Sequence, residues 1–252
     1  MTEKEMLFEY LLRIGDNCVI LSQRLAEWCG RSPVLEEEMA LMNVALDMVG
    51  QARLILDYAG KVEGKGRDED KLAYHRDAQD WRNLLLVEQP NGDFAVTMAR
   101  QLYFDVFQQL QFEALANSKD QTIAEIAIKS LKEIKYHVRH SSDWVIRLGD
   151  GTDESHERMQ NALDELWGFT AEMFDMDEVE QAMVDAGIGV DVSSLRDEWD
   201  RRINAILTEA TLKRPAATWE VRGSREGKHS EHLGFLLAEM QFLPRAYPDA
   251  TW

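Results

Sequence analysis

A pair of iron atoms in a helical bundle needs a carboxylate from each of two helices and a Glu-x-x-His pair from each of two others. Residues three apart share a helix face, and mixed carboxylate and imidazole ligands leave iron open positions for oxygen. The sequence holds fragments of that set: Asp16, Asp47-Met-Val-Gly50, Asp105 and Ile134-Lys-Tyr-His137, each on a different helical stretch. Glu133-Ile-Lys-Tyr136 is an alternative register one step earlier. On this frame Gly50 stands where one histidine belongs, and Ile134 where one glutamate belongs. Three carboxylates with one imidazole are too few ligands for two irons. Plain readings stand beside each position. Asp16 falls opposite the apolar seam of its helix, so it can also be solvated or face a partner. Asp47 shares a polar stripe with Asn43 and Gln51, and His137 can be a hydrogen-bonded core histidine.

Other candidate chemistry is thinner. The one Glu-x-x-His in the chain, Glu226-Gly-Lys-His229, straddles a loop end without a second copy. His229-Ser-Glu-His232 could bind zinc only with outside ligands. Gly149-Asp-Gly151-Thr152 lacks the Gly-Lys-Ser/Thr ending of a phosphate loop. Ser22, Ser141 and Ser142 have no nucleophile-elbow signature, and neither Cys18 nor Cys29 has a helix-start setting that would activate it.

Long helices must position these residues. Leu7, Leu11, Ile14, Cys18, Leu21, Leu25 and Trp28 step by four and three, with Phe8, Leu12, Val19 and Ala26 widening the apolar girth past half the circumference. That width predicts a deeply buried helix over 5–28, or one with apolar surface left for a partner. Ser32 and Pro33 predict the start of a second helix reaching Tyr58 and closing at Gly60. A third long helix fits 93–116 and a fourth 121–148. A short helix carrying Trp81, Leu84, Leu85 and Val87, helical stretches over 153–174, 177–186, 194–212 and 229–243, and a long loop over 213–228 complete the reading. This predicts one all-α domain over 1–252, a four-helix bundle at roughly 5–148 with peripheral helices over 153–252.

The chain has 252 residues, 45% hydrophobic and 29% charged, which excludes a disordered class. Five prolines and 15 glycines are few for a turn-rich β protein. Forty-six acidic against 28 basic residues give a net charge of −18, with no basic face for nucleic acid or an anionic membrane. The start of the sequence lacks a signal-peptide pattern, and no apolar run approaches the ~18 residues of a spanning helix. Cys18 and Cys29, about 16 Å apart along one expected helix, cannot pair. The expectation is a cytoplasmic protein.

The stretches Gly15-Asp-Asn17, Leu21-Ser-Gln-Arg-Leu-Ala-Glu-Trp28, Ala45-Leu-Asp-Met-Val-Gly-Gln-Ala-Arg53, Phe94-Ala-Val-Thr97, Lys132-Glu-Ile-Lys-Tyr-His137, Arg147-Leu-Gly-Asp-Gly-Thr152 and Leu237-Ala-Glu-Met-Gln241 resemble one family across nearly the whole chain. It is the C-subunit family of the ring-1,2-phenylacetyl-CoA epoxidase of aerobic phenylacetate degradation. The resemblance implies a ferritin-like fold and a non-catalytic role. In that family the related A subunit holds the di-iron centre and oxidises the ring. The C subunit, without a working metal site or cofactor of its own, supports the assembly of A, and a separate reductase component uses NADPH. A homodimer of the isolated chain is a further expectation. Asp16, Asp47, Gly50, Asp105, Ile134 and His137 are then vestigial positions. The alternative is a self-sufficient di-iron oxidase using Glu113, Glu133, His137 and His140.

Overall fold

The computed structural model describes residues 1–216, 218–248 and 250. Among them are nine α-helices and no strand: α1 (Glu3–Ala26), α2 (Leu35–Glu63), α3 (Glu69–Tyr74), α4 (Phe94–Leu115), α5 (Gln121–Gly149), α6 (Asp153–Trp167), α7 (Glu178–Asp185), α8 (Arg196–Glu209) and α9 (Glu231–Ala246). The four long helices are those that periodicity predicts. The chain divides into two compact units, one of Met1–Pro90 with Gly223–Trp252, the other of Asn91–Arg222.

In the first unit α1 and α2 pack along one another, with α3 against α2 and α9 against α3. Thr2 caps α1 through a capping box with Glu5. Every α1 residue from Tyr10 to Ser22 is buried, so its wide apolar girth leaves no patch for a partner over that span. The exposed large apolar residues nearby lie on α2 instead. By length and composition α2 is also the one described helix that could cross a membrane, though nearly half of its most apolar stretch is buried.

Several expected boundaries move for local reasons. Ser32 does not cap α2, because its hydroxyl donates to the Trp28 carbonyl at the end of α1, and Val34 takes the cap position without a side-chain bond. Cys29 lies beyond α1, in the turn after it, and no disulfide joins it to Cys18. Gly60 does not close α2, which runs to Glu63 and ends at Gly64 in the left-handed region. The segment from Trp81 to Val87 is buried but not helical. Two of its backbone donors go to α1 side chains, Arg82 N–H to Asp16 Oδ2 at 2.8 Å and Leu84 N–H to Asn17 Oδ1 at 2.7 Å.

In the second unit α4 and α5 pack together, and α6 and α8 cover both. Asp93, Asp120 and Thr152 cap α4, α5 and α6. The expected helix over 153–174 stops at Trp167, where the Thr170 hydroxyl takes up the Trp167 carbonyl at 2.7 Å. Tyr103, Trp167, Phe174 and Trp199 form an aromatic cluster with ring centroids 5.4–5.8 Å apart. Trp199 Nε1–H donates to the Tyr103 carbonyl, and Tyr103 O–H to the Leu163 carbonyl. Their polar atoms are thereby satisfied inside an apolar core.

Gly60 and Gly50 separate two roles of a helical glycine. A Cβ at Gly60 would lie 2.0 Å from the Arg67 carbonyl oxygen, whereas one at Gly50 would meet nothing within 4 Å. Gly60→Ala should cost about 1–3 kcal/mol through forced backbone displacement. Gly50→Ala should stabilise by about 0.5–1 kcal/mol through helix propensity. Denaturant midpoints of the two variants check the opposite signs.

Candidate functional site

The first-unit half of the ligand frame is built around Asp16, which is fully buried, not solvated. Arg76 meets it with a two-pronged ion pair: Nη1 donates to Oδ2 at 2.9 Å and Nη2 to Oδ1. The same guanidinium donates to the Leu72 and Asp80 carbonyls and lies 4.4 Å from the centroid of the Trp81 ring. Arg82 adds its backbone N–H to Asp16 and sends its side chain to Glu9. Both carboxylate oxygens of Asp16 are therefore engaged by arginine. Asp47 is half-buried and Gly50 exposed on α2. Gln51 of the expected polar stripe is buried, with Cys18 Sγ 3.9 Å from its Oε1. Arg53, which follows Asp47 by six residues on α2, pairs with Glu69 at 3.1 Å.

A second buried cluster in this unit centres on Glu88. Its carboxylate receives Ser230 N–H at 2.6 Å, His229 Nδ1 at 2.9 Å and Asn83 Nδ2 at 3.1 Å, while Arg24 donates twice to its backbone carbonyl. His229 Nε2 faces the Trp81 carbonyl at 3.0 Å. With acceptors on both sides, the imidazolium form satisfies both contacts by donating from each ring nitrogen. Burial opposes that charge, but the Glu88 hydrogen bond and charge outweigh it and hold the pKa above the usual 6.5. His229 is thus committed to a buried ion pair, and no zinc set forms around it and His232 among the described residues.

The second-unit half contains Asp105 on α4 and His137 on α5, both buried, with Ile134 fully buried beside them on α5. Ser141 Oγ donates to Asp105 Oδ2 at 2.8 Å, while Oδ1 has no hydrogen-bond partner among the described residues. Burial pushes the Asp105 pKa from 3.8 up to about 6, against the pull of His137, Ser141, His140 and Arg100. Glu133 is half-buried, and Tyr136 is exposed and stacked on His140. Glu113 is held by Arg202 and Gln109. The oxidase set of Glu113, Glu133, His137 and His140 is therefore not gathered into a ligand cluster. Among the described residues, no three His, Cys, Asp or Glu side chains are placed to hold a metal ion. A guanidinium on Asp16, an exposed Gly50 and an apolar Ile134 do not fit a di-iron centre. Arg100, on the same helix as Asp105, bonds Asn91 at 2.7 Å, and its charge acts on Asp105.

Arg76, Trp81, Arg82 and Glu88 escape a periodicity reading because they sit in an aperiodic segment. The one signal there is the apolar run from Leu84 to Val87 beside Trp81, which reads as a short helix.

Two variants test these environments. Arg76→Met leaves Asp16 buried without its counter-ion and should cost about 3–5 kcal/mol, most of it recovered in the Asp16→Leu/Arg76→Met double variant. A single variant as stable as the unmodified chain would contradict the pairing. For Asp105, the folded chain keeps its proton up to about pH 6, whereas the unfolded chain releases it near 3.8. Stability therefore falls as pH rises between those values, and a penalty on the order of 3 kcal/mol stands above them. Asp105→Asn should raise the melting temperature more at pH 7.5 than at pH 4. Equal shifts at both pH values would refute this.

The chain matches the family model "Phenylacetic acid catabolic protein" over residues 1–252. It is 50% identical over 246 residues to the C subunit of the 1,2-phenylacetyl-CoA epoxidase from Escherichia coli strain K12, covering 98% of this chain and 99% of that protein. With an all-α, ferritin-like fold and a match along its whole length, the chain belongs to the phenylacetic acid catabolic protein family.

Proposed function

We propose that this chain is an accessory, non-catalytic subunit of a multicomponent phenylacetyl-CoA epoxidase, pairing with the related di-iron A subunit and supporting its assembly. The observation that carries this is the Arg76 guanidinium on Asp16. A cation already fills the position opposite that carboxylate, so the helix is stable with Asp16 buried and no metal is needed to offset its charge. Gly50 and Ile134 remove two more ligands from the frame, and His137 stands without a glutamate three residues before it. The E. coli relative belongs to the epoxidase, which supplies the reaction class. Iron and oxygen chemistry then belong to the A subunit and NADPH to a reductase component. A cytoplasmic setting agrees with two cysteines that form no disulfide.

The purified chain should carry no stoichiometric iron and should not oxidise phenylacetyl-CoA alone. On coexpression with the A subunit it should co-purify and raise the yield of active, iron-loaded A. Elemental analysis finding about two irons per molecule of this chain would overturn the reading. So would an A subunit that is soluble and fully active without it.

A further inference from the structure

We propose that the outer face of α2 is a docking surface for an amphipathic, basic-flanked helix of a partner subunit; this rests on the reading of the chain as part of a multi-subunit assembly. Leu35, Met39, Met42, Leu46 and Val49 recur at steps of four and three on that face. Leu35 is 69% exposed, Met39 60%, Leu46 67% and Val49 46%. A helix is usually apolar where it is covered and polar where it is wet. Here α2 is apolar on its covered face against α1 and apolar again along this stripe, in which Met42 alone is half-buried, and exposed apolar stripes of this kind mark interaction sites.

The spacing selects the occupant. A seam one helix wide with a four-three step is complementary to another helix, whose side chains insert between its knobs. Beside the seam Gly50 would place nothing within 4 Å of an added Cβ, so a partner backbone can approach closely there. Past Val49 the seam meets a cleft of about 100 Å³ lined by Ala52, Leu56, Ala73 and Tyr74, with Glu69 and Asp70 at its edge. It offers a seat for an apolar anchor residue.

Charge narrows the choice further. Glu36 and Glu38 flank the start of the seam, Asp47 its middle, and Glu69 and Asp70 the cleft. Arg53 at the far end is already paired with Glu69. A second copy would set these acids against acids in a chain of net charge −18, and an anionic bilayer meets the same repulsion. Lys or Arg beside the partner's apolar seam complements them.

The test uses the full chain and the epoxidase A subunit as the probe, measuring affinity at two salt concentrations, with melting curves for every variant. Leu46→Glu should weaken pairing at least tenfold, and Glu36→Lys with Asp47→Lys should weaken it and reduce its salt dependence. Leu46→Glu should not lower the melting temperature, since Leu46 is 67% exposed. Met39→Gln, which keeps helix propensity, replaces Leu46→Glu if that variant melts early. Pairing unchanged by Leu46→Glu and Met39→Gln overturns the surface while leaving the assembly reading intact. Absence of any pairing by the unmodified chain overturns the assembly reading, and this occupant with it. An isolated chain that sediments as a dimer broken by Leu46→Glu assigns the face to a second copy, and capture by phosphatidylcholine vesicles that Leu46→Glu abolishes assigns it to a membrane; either result refutes the proposal.

Discussion

One buried ion pair, Asp16 with Arg76, organises the first unit. A carboxylate on a helix covered on every side cannot reach water, and an uncompensated charge there costs several kcal/mol. The chain answers with a guanidinium whose remaining donors go to the Leu72 and Asp80 carbonyls and whose face lies over Trp81. Holding that guanidinium in place fixes the path of the backbone from α3 through Trp81. The Arg76 carbonyl in turn receives Gln241 and Arg245 from α9. One carboxylate on α1 thus determines where α3, the aperiodic segment and α9 can sit.

The second unit meets the same constraint on α4, buried on all sides from Thr97 to Gln108, and meets it differently. Among the described residues Asp105 receives one hydroxyl and no direct ion pair, and its pKa rises to about 6. One buried acid is met by a bidentate arginine; the other has its pKa pushed up by burial. Both helices carry polar residues at three- and four-residue steps on a buried face, as in Thr97, Gln101, Asp105 and Gln108 of α4. Ser130, His137 and Ser141 of α5 are buried on its own inner face. Polar side chains in such rows are costly to bury unless hydrogen-bonded.

The long helices were legible because their apolar residues repeat with the helical period, whereas the cap read at Ser32 is not one. The burial of Asp16 was not legible. A helical wheel places it opposite the seam, and its covering partner lies 60 residues away in a stretch without period. Glu88 and His229 escaped for the same reason, and the histidine pair at the start of α9 suggested zinc because its true partner was out of sequence range. The resemblance supplied what neither period nor spacing could, namely the family. Even so, it did not mark α2 and α9, in place of α1, as helices with exposed apolar side chains.

The return of residues 223–248 to the unit that begins the chain has a kinetic consequence. Residues 91–222 form a continuous insertion that is compact by itself, so that segment can complete its core while the chain is still being synthesised. The first unit cannot: Glu88 waits for His229, 141 residues later, and the Ala73 and Arg76 carbonyls wait for Gln241. Closing so long a loop is entropically unfavourable, and contacts of high sequence separation form late. Synthesis order and folding order are therefore inverted, with the inserted unit maturing before the one that precedes it. Until α9 arrives, the nascent chain carries a core helix with buried polar groups still unmet, the interval in which a chaperone has most to protect.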